Sequence, residues 1–330
     1  MRRRDFSTGL LLAGCTRSAR AQEAAKQHRI AIVIPSGPVA RIDDPGARFY
    51  HAIFEELRRL GDIEGQTLTV ERYSGEGRPE GFPDLARDVV SGNPQVIIAS
   101  SDVVAQAVRA ASGTIPIVWI GGDPIRAGLA ASLARPGGNV TGVTVYVGHE
   151  IWGKRLQILK EAVPSVSRVA FLQMRTDWLV NEEQLREAGR RLEISVIPML
   201  LEESIPSEYR RAFSEIVIER PNAIIVNSDG SLVPYRQLIV ELVEQSRLPA
   251  IYAWHDYVEA GGLMAYEVDA SELGRRIADD VHEILKGTNP GDIPIYQPTK
   301  FQLLINLRAA KALGLTIPSA MLALADEVIE

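Results

Sequence analysis

The chain has 330 residues, a formal charge of −6, 46% hydrophobic residues and a single cysteine. An acidic balance argues against nucleic-acid binding, which calls for a basic face. One cysteine excludes a disulfide framework, and the length suits two domains that each bury a core.

In chain order, the first feature is a basic start, Arg2-Arg3-Arg4-Asp5-Phe6, followed by a short apolar run over residues 10–14 and then small residues. That is the layout of an export signal. The run is far below the ~20 apolar residues that span a bilayer. Two cleavage patterns overlap in it. Leu12-Ala13-Gly14-Cys15 resembles the bacterial lipobox, in which the thiol is acylated, and Ala19-Arg20-Ala21 before Gln22 fits ordinary signal peptidase. Arg3-Arg4-x-Phe6 also resembles a twin-arginine signal. Residues 1–21 are therefore expected to be an export signal, cut at a lipidated Cys15 or after Ala21. The protein is then expected in the periplasm, either free or tethered by a lipid on Cys15. The part that follows is more acidic still and contains no cysteine.

From Arg29 onward, short β-branched runs alternate with amphipathic segments. Strands are expected at 30–34, 68–70, 96–99 and 115–120, with helices near 45–60, 82–92 and 102–111. In the first of these helices, Phe49, Ile53, Leu57 and Leu60 share one face. The second half repeats the scheme. Strands are expected at 169–172, 195–197, 223–226 and 248–252, and helices near 149–163, 179–192, 207–219 and 232–246. In the helix near 149–163 the buried stripe is Trp152, Leu156, Leu159 and Val163. Continuous apolar strands between helices indicate parallel sheets covered on both faces. The fold class is α/β, two lobes joined around residues 142–148 with a cleft between them.

In open parallel sheets, ligands bind beyond the carboxyl ends of the strands. Those ends are Pro35-Ser36-Gly37, Ser100-Ser101-Asp102 and Gly121-Gly122-Asp123-Pro124 in the first half. In the second half they are Gln173-Met174-Arg175, Asn227-Ser228-Asp229-Gly230 and Trp254-His255-Asp256. Ser101 or Asp102 is either a helix cap or part of a helix N-terminus that holds a carboxylate with a serine hydroxyl. Asp102 would repel an anion and is expected to point outward. Asp123 and Asp229 are either turn aspartates or a pair that brackets a ligand amine from opposite lobes. Trp119, Trp254, Tyr252 and Tyr266 either stack on an aromatic ligand or pack the core.

Catalytic signatures are absent: there is no G-x-S-x-G, H-E-x-x-H, Walker sequence or C-x-x-C. The glycines of GEGRPEG, at 75, 77 and 81, lack dinucleotide spacing and mark a loop. The histidines at 28, 51, 149, 255 and 282 include no pair of ligands four apart. No enzyme activity, cofactor or metal is expected.

The segment Arg135-Pro136-Gly137-Gly138-Asn139-Val140-Thr141-Gly142 resembles the signature of the ABC transporter substrate-binding family that includes tryptophan- and tyrosine-binding lipoproteins. So do Gly261-Gly262-Leu263-Met264-Ala265-Tyr266, the stretch from Gln297-Pro298-Thr299-Lys300-Phe301 to Thr316-Ile317-Pro318, and the ending Ala325-Asp326-Glu327-Val328-Ile329-Glu330. The resemblance spans essentially the whole chain after the signal. It implies a type I periplasmic binding fold whose two lobes, joined by three crossing segments, close on a ligand. The third crossing would fall near residues 266–269, which puts residues 29–147 plus 264–292 in lobe 1 and 148–263 plus 293–330 in lobe 2. It places ligand contacts at Ser100, Ser101, Asp123, Asp229 and Tyr266, beside Ser36 from the first strand end. Where many members of the family read A-T-P-A-A-Q-A, this chain has Ser101-Asp102-Val103-Val104-Ala105-Gln106-Ala107, so a carboxylate replaces a proline-like helix opener. The implied role is a monomeric receptor that binds a small polar or amino-acid-like ligand, aromatic ones included, and hands it to an ABC permease in the inner membrane. A ligand sensor that presents the same fold to a regulatory partner is the alternative.

Overall fold

The computed structural model describes residues 27–44, 47–148 and 150–330. The export-signal stretch, with Cys15 and Ala21, lies outside the described residues.

The first sheet contains β1 (His28–Ile34), β2 (Leu68–Ser74), β3 (Val96–Ala99), β4 (Ile117–Gly121) and β5 (Val140–Thr144), in the order β2-β1-β3-β4-β5. All its pairs are parallel. Residues 30–34 are buried without alternation, as strands covered on both faces must be. α1 (Arg48–Leu60) lies among the covering helices with α2 (Phe82–Ser91) and α3 (Asp102–Ala111). The sequence predicts no strand at β5, because its glycine-containing segment has the composition of a connector. Gly142 stands opposite Trp119 in the ladder, at φ +132. A Cβ there would fall on the Trp119 backbone, so glycine is what lets β5 close the sheet.

The second sheet holds β6 (Arg168–Met174), β7 (Ser195–Leu201), β8 (Ala223–Val226), β9 (Ala250–Tyr252), β10 (Met264–Val268), β11 (Phe301–Asn306) and β12 (Glu327–Ile329). Its order is β12-β11-β10-β9-β8-β6-β7, and only the β10–β11 pair is antiparallel. Its helices are α4 (Glu150–Ala162), α5 (Arg175–Arg191), α6 (Pro206–Glu219), α7 (Arg236–Gln245) and the short α8 (His255–Glu259). α5 begins four residues before the expected start. The α/β class and the two-lobed architecture are as the sequence indicated.

Two boundaries of the expected division are corrected. Residues 264–268 form β10 and pair with β9 and β11 in the second sheet, so the chain leaves that lobe after Val268. α9 (Ala270–Leu285) then packs on α1, with Gly274 so close to Phe49 and Ala52 that a side chain would not fit. The expected division also places residues from 293 onward in the second lobe. Ile293 and Ile295 instead fill the first lobe's core, and Tyr296 exchanges backbone hydrogen bonds with Gly142 and Thr144. The return crossing is at residues 297–300, and α10 (Leu307–Ala312) and α11 (Ser319–Leu324) complete the second lobe. Gln297 Nε2 donates to Tyr146 O at 3.0 Å, which ties the first and last crossings together.

Candidate functional site

The carboxyl ends of the two parallel sheets face each other. Trp254, at the end of β9, is half-buried and packs against the hydrophobic cores of both lobes. Arg41 of the first lobe reaches Asp256 of the second at 3.1 Å, and Arg48 reaches Glu327 at 2.8 Å and Glu259 at 3.7 Å. These pairs are partly exposed, so each contributes modestly and is screened by salt.

On the first lobe, β1 and β3 end side by side, with Ser100 N donating to Val33 O. This brings half-buried Ser36 and Ser100 into one corner. The Ser100 hydroxyl accepts from Tyr50 OH at 3.2 Å, and burial raises the Tyr50 pKa. Ser101 caps α3, its side chain accepting from Val104 N at 3.3 Å. Asp102 does not point outward as expected. Its Oδ1 accepts from Trp119 Nε1 and from Gly122 N, each at 3.0 Å. Burial pushes its carboxyl up, against those hydrogen bonds. The carboxylate that breaks the family pattern therefore locks α3 to the end of β4. Asp123 Oδ1 accepts from Ile125 N and Arg126 N at 2.9 and 3.1 Å, closing its own turn and setting out the exposed Arg126.

On the second lobe, Asp229 likewise closes a turn, accepting from Ser231 N at 2.8 Å. Behind it lies a polar cluster that the sequence patterns do not single out. Gln173 is fully buried at the end of β6 and Asn227 nearly so after β8. Asn227 Nδ2 lies 3.4 Å from Gln173 Oε1 and 3.5 Å from Asp177 Oδ2. Asp177 stands in the first turn of α5. Burial first, then the Asp229 carboxylate, pushes its carboxyl up to about 6, with Arg126 of the opposite lobe pulling the other way.

Tyr266 is on the same sheet face. One residue past the paired positions Val226, Tyr252 and Ala265, Asn227, Ala253 and Tyr266 are neighbours on successive strands. The Tyr266 ring stacks on Phe301 with centroids 5.4 Å apart. Its carbonyl accepts from Arg155 Nε at 3.0 Å. Arg155 is buried in α4, and burial lowers its pKa to about 10. Trp119 and Tyr252 are fully buried, and Tyr252 stacks on Tyr257, so both are core residues. Signals for the missed residues exist in the sequence. Arg155 interrupts the apolar stripe Trp152, Leu156, Leu159, and Gln173 ends an otherwise apolar strand. Asp177 is hidden because the pattern starts α5 only after it.

Among the described residues no group of His, Cys, Asp and Glu could hold a metal ion, and no helix is long and apolar enough to cross a membrane.

Residues 42–329 match the family model described as ABC transporter substrate binding protein. The chain belongs to that family. It is similar to a tyrosine-binding protein of Clostridioides difficile, 25% identical over 267 residues, with 80% of this chain and 76% of the relative covered. Among solved structures it is similar to a conserved domain protein from Vibrio cholerae, with 26% identity, a TM-score of 0.82, and 92% and 100% of the two chains covered. An ABC domain from Streptococcus pneumoniae in complex with L-Trp shares its fold, at 22% identity and a TM-score of 0.81 over 92% of this chain and all of that one. The chain is thus a solute-binding protein of the type I periplasmic binding fold, not an enzyme.

Proposed function

We propose that the protein is the extracytoplasmic receptor of an ABC importer, and that its lobes close on a small polar or amino-acid-like ligand, aromatic ones included. The observation that carries this reading is the meeting of the two lobes at their strand ends, where Trp254 packs against both cores and Arg41 of one lobe reaches Asp256 of the other at 3.1 Å. A ligand favours closure only through contacts that differ between open and closed states, and a ligand held between these loops has such contacts. The ligands named for the Clostridioides difficile and Streptococcus pneumoniae proteins, tyrosine and L-Trp, support an aromatic amino acid. In this reading Ser36 and Ser100 line the first-lobe wall, with Ser101 and Asp123 shaping its loops. Asp229 lines the second, and Tyr266 offers a ring beside the small Ala253. The protein works as a monomer in the periplasm, free or held by a lipid on Cys15, and passes its ligand to a permease in the inner membrane.

Native mass spectrometry of the purified protein tests this. A single co-purified small molecule, released intact on unfolding, is expected, and turnover of that molecule by the protein would overturn the reading. Asp229→Asn keeps the oxygen that caps the 229–231 turn and removes the charge. It is expected to weaken ligand binding by about 1.5–3 kcal/mol, the range for a hydrogen bond to a charged group. The melting temperature of the empty protein should stay within a few degrees. Unchanged affinity would remove Asp229 from the site.

A further inference from the structure

The three crossings between the lobes differ in length. The first runs from the end of β5 at Thr144 to the start of α4 at Glu150, and the third takes residues 297–300. The second is a single residue, Asp269, between Val268 of β10 and Ala270 of α9. One residue cannot stretch, so the Cα atoms of Val268 and Ala270 stay within about 7 Å of each other however the lobes move. The lobes can separate least at Asp269, and a rotation between them has its axis near it. Asp269 is itself held, its Oδ1 accepting from Ser271 N at 2.9 Å and from Glu272 N at 3.1 Å.

One tyrosine gathers the other two crossings to this point. Tyr296, just before the third crossing, donates its N–H to Gly142 O at 2.8 Å and accepts from Thr144 N at 2.9 Å, at the foot of the first. Its hydroxyl donates to Glu272 Oε1 at 2.7 Å, in the first turn of α9 just after the second. The Arg276 guanidinium lies over the same ring, 5.8 Å from its centre. Stability does not account for the pair, because Glu272 Oε2 is buried without a partner and an unmatched acceptor costs free energy. The second-lobe ends of the crossings are joined as well. Arg155, on the helix that follows the first crossing, donates to Tyr266 O, and the Tyr266 ring stacks on Phe301, directly after the third. What is left to turn is the short span between the two ties.

Resting on the receptor reading above, we propose that Tyr296 and Glu272 are positioning residues of the hinge: their hydrogen bond brackets the three crossings at the first lobe and so fixes the axis on which the lobes close. Neither residue touches the ligand. Without the bracket the first and third crossings are free to shift against Asp269, and the second lobe samples many directions instead of one. With it, the strand ends of the two lobes return to the same register each time the cleft shuts.

The test is a spin-label distance measurement on the ligand-free full chain, with Cys15→Ser and one exposed label site in each lobe, Glu80→Cys and Glu203→Cys. In this background each distance peak is expected to be narrow. Tyr296→Phe keeps the ring and the backbone bonds but loses the hydroxyl, and its peaks should be about twice as wide. Glu272→Gln keeps an acceptor for that hydroxyl and should retain the narrow peaks. In the double variant Glu272→Leu, Tyr296→Phe both partners are gone and no group is left unmatched. Its melting temperature should stay within a few degrees of the parent while its peaks broaden as in Tyr296→Phe. Unchanged widths in Tyr296→Phe would overturn the bracket, and so would equal broadening in Glu272→Gln, which would assign the effect to the carboxylate charge. A double variant with narrow peaks, or one whose melting temperature falls in step with the broadening, would make the pair a part of the fold only. No ligand enters the measurement, so each of these failures leaves the receptor reading intact, and that reading fails separately in the mass-spectrometric test above.

Discussion

Asp280→Asn is expected to stabilise the protein at pH 8 relative to pH 4 by about 2–4 kcal/mol more than the wild type allows. Asp280 lies on α9, 1% exposed, where that helix packs on the first lobe. Arg276 Nε is 3.4 Å from its Oδ1, while Oδ2 has no partner. Burial raises its carboxyl to about 7, with Asp279 adding to the rise and Arg276 opposing it. The folded state therefore holds a proton that the unfolded chain, ionising near ~3.9, has already lost. Stability falls as pH rises through the window between the unfolded and folded ionisations, and the full cost is present above it. A tenfold difference in proton affinity between the two states is worth roughly 1.4 kcal/mol, so this one carboxylate costs several kcal/mol at pH 8 and nothing at pH 4. The amide of the Asp280→Asn variant cannot ionise, so the difference between its two denaturation midpoints isolates this effect from any cost of an unsatisfied group. A wild type and variant with parallel pH profiles would show that Asp280 ionises freely in the fold.

The alternation of apolar runs and helices makes most of the fold legible, because a strand buried on both faces has no polar positions to disguise it. What is lost has local causes. β5 carries Gly142, which in a lone sequence marks a turn, and only the close approach of the Trp119 backbone shows why a strand needs glycine there. β12 is three residues long and half-exposed, too short for any period to register. The expected lobe boundaries slip at β10 and at residues 293–296. A chain that crosses three times sends neighbouring segments to different cores, and hydrophobicity does not say which core.

The candidate site is legible as a set of strand ends and much less as a set of roles. Ser101, Asp123 and Asp229 each use a side-chain oxygen on nearby backbone N–H groups. Turn chemistry and ligand chemistry ask for the same residue types there, and the sequence cannot separate them. Asp102 is expected to face solvent because charges normally do. It is held inward by the indole N–H of Trp119, a partner 17 residues away. Arg155 and Gln173 are visible as polar residues in apolar patterns, but their meaning depends on what lies across the sheet from them.

Glu267→Leu is expected to cost about 3–5 kcal/mol, the range for removing one partner of a buried charged pair, and to weaken ligand binding without touching the ligand. Glu267 is 1% exposed on β10. It accepts from His255 N at 2.7 Å and from His255 Nδ1 at 3.0 Å, so it holds the first turn of α8 by both backbone and ring. The next residue, Asp256, is the one that Arg41 of the first lobe grips. Leucine would leave two buried donors unmatched and free the start of α8, loosening a contact between the lobes as well as the fold. Glu267→Gln separates shape from charge. It keeps an acceptor for one donor and should cost about 1–3 kcal/mol, comparable to leaving one buried group unsatisfied. Burial alone would lower the His255 pKa, but the hydrogen bond to Glu267 and the charges of Glu267 and Asp256 raise it above 6.5. A raised histidine pKa means stability that is fully present below the unfolded value and lost as pH climbs through the folded one. In Glu267→Gln that loss should shrink, because the charge that raised His255 is gone. Denaturation at pH 5.5 and pH 8 measures it. In the wild type His255 and Asp280 act in the same direction, both favouring the mildly acidic side. Each variant should therefore flatten part of the slope, and the double variant should flatten the sum of both, since Asp280 and Glu267 lie in different lobes and share no partner. A Glu267→Gln protein with the full wild-type slope would place the pH dependence elsewhere and remove His255 from the account of how α8 is held against the first lobe.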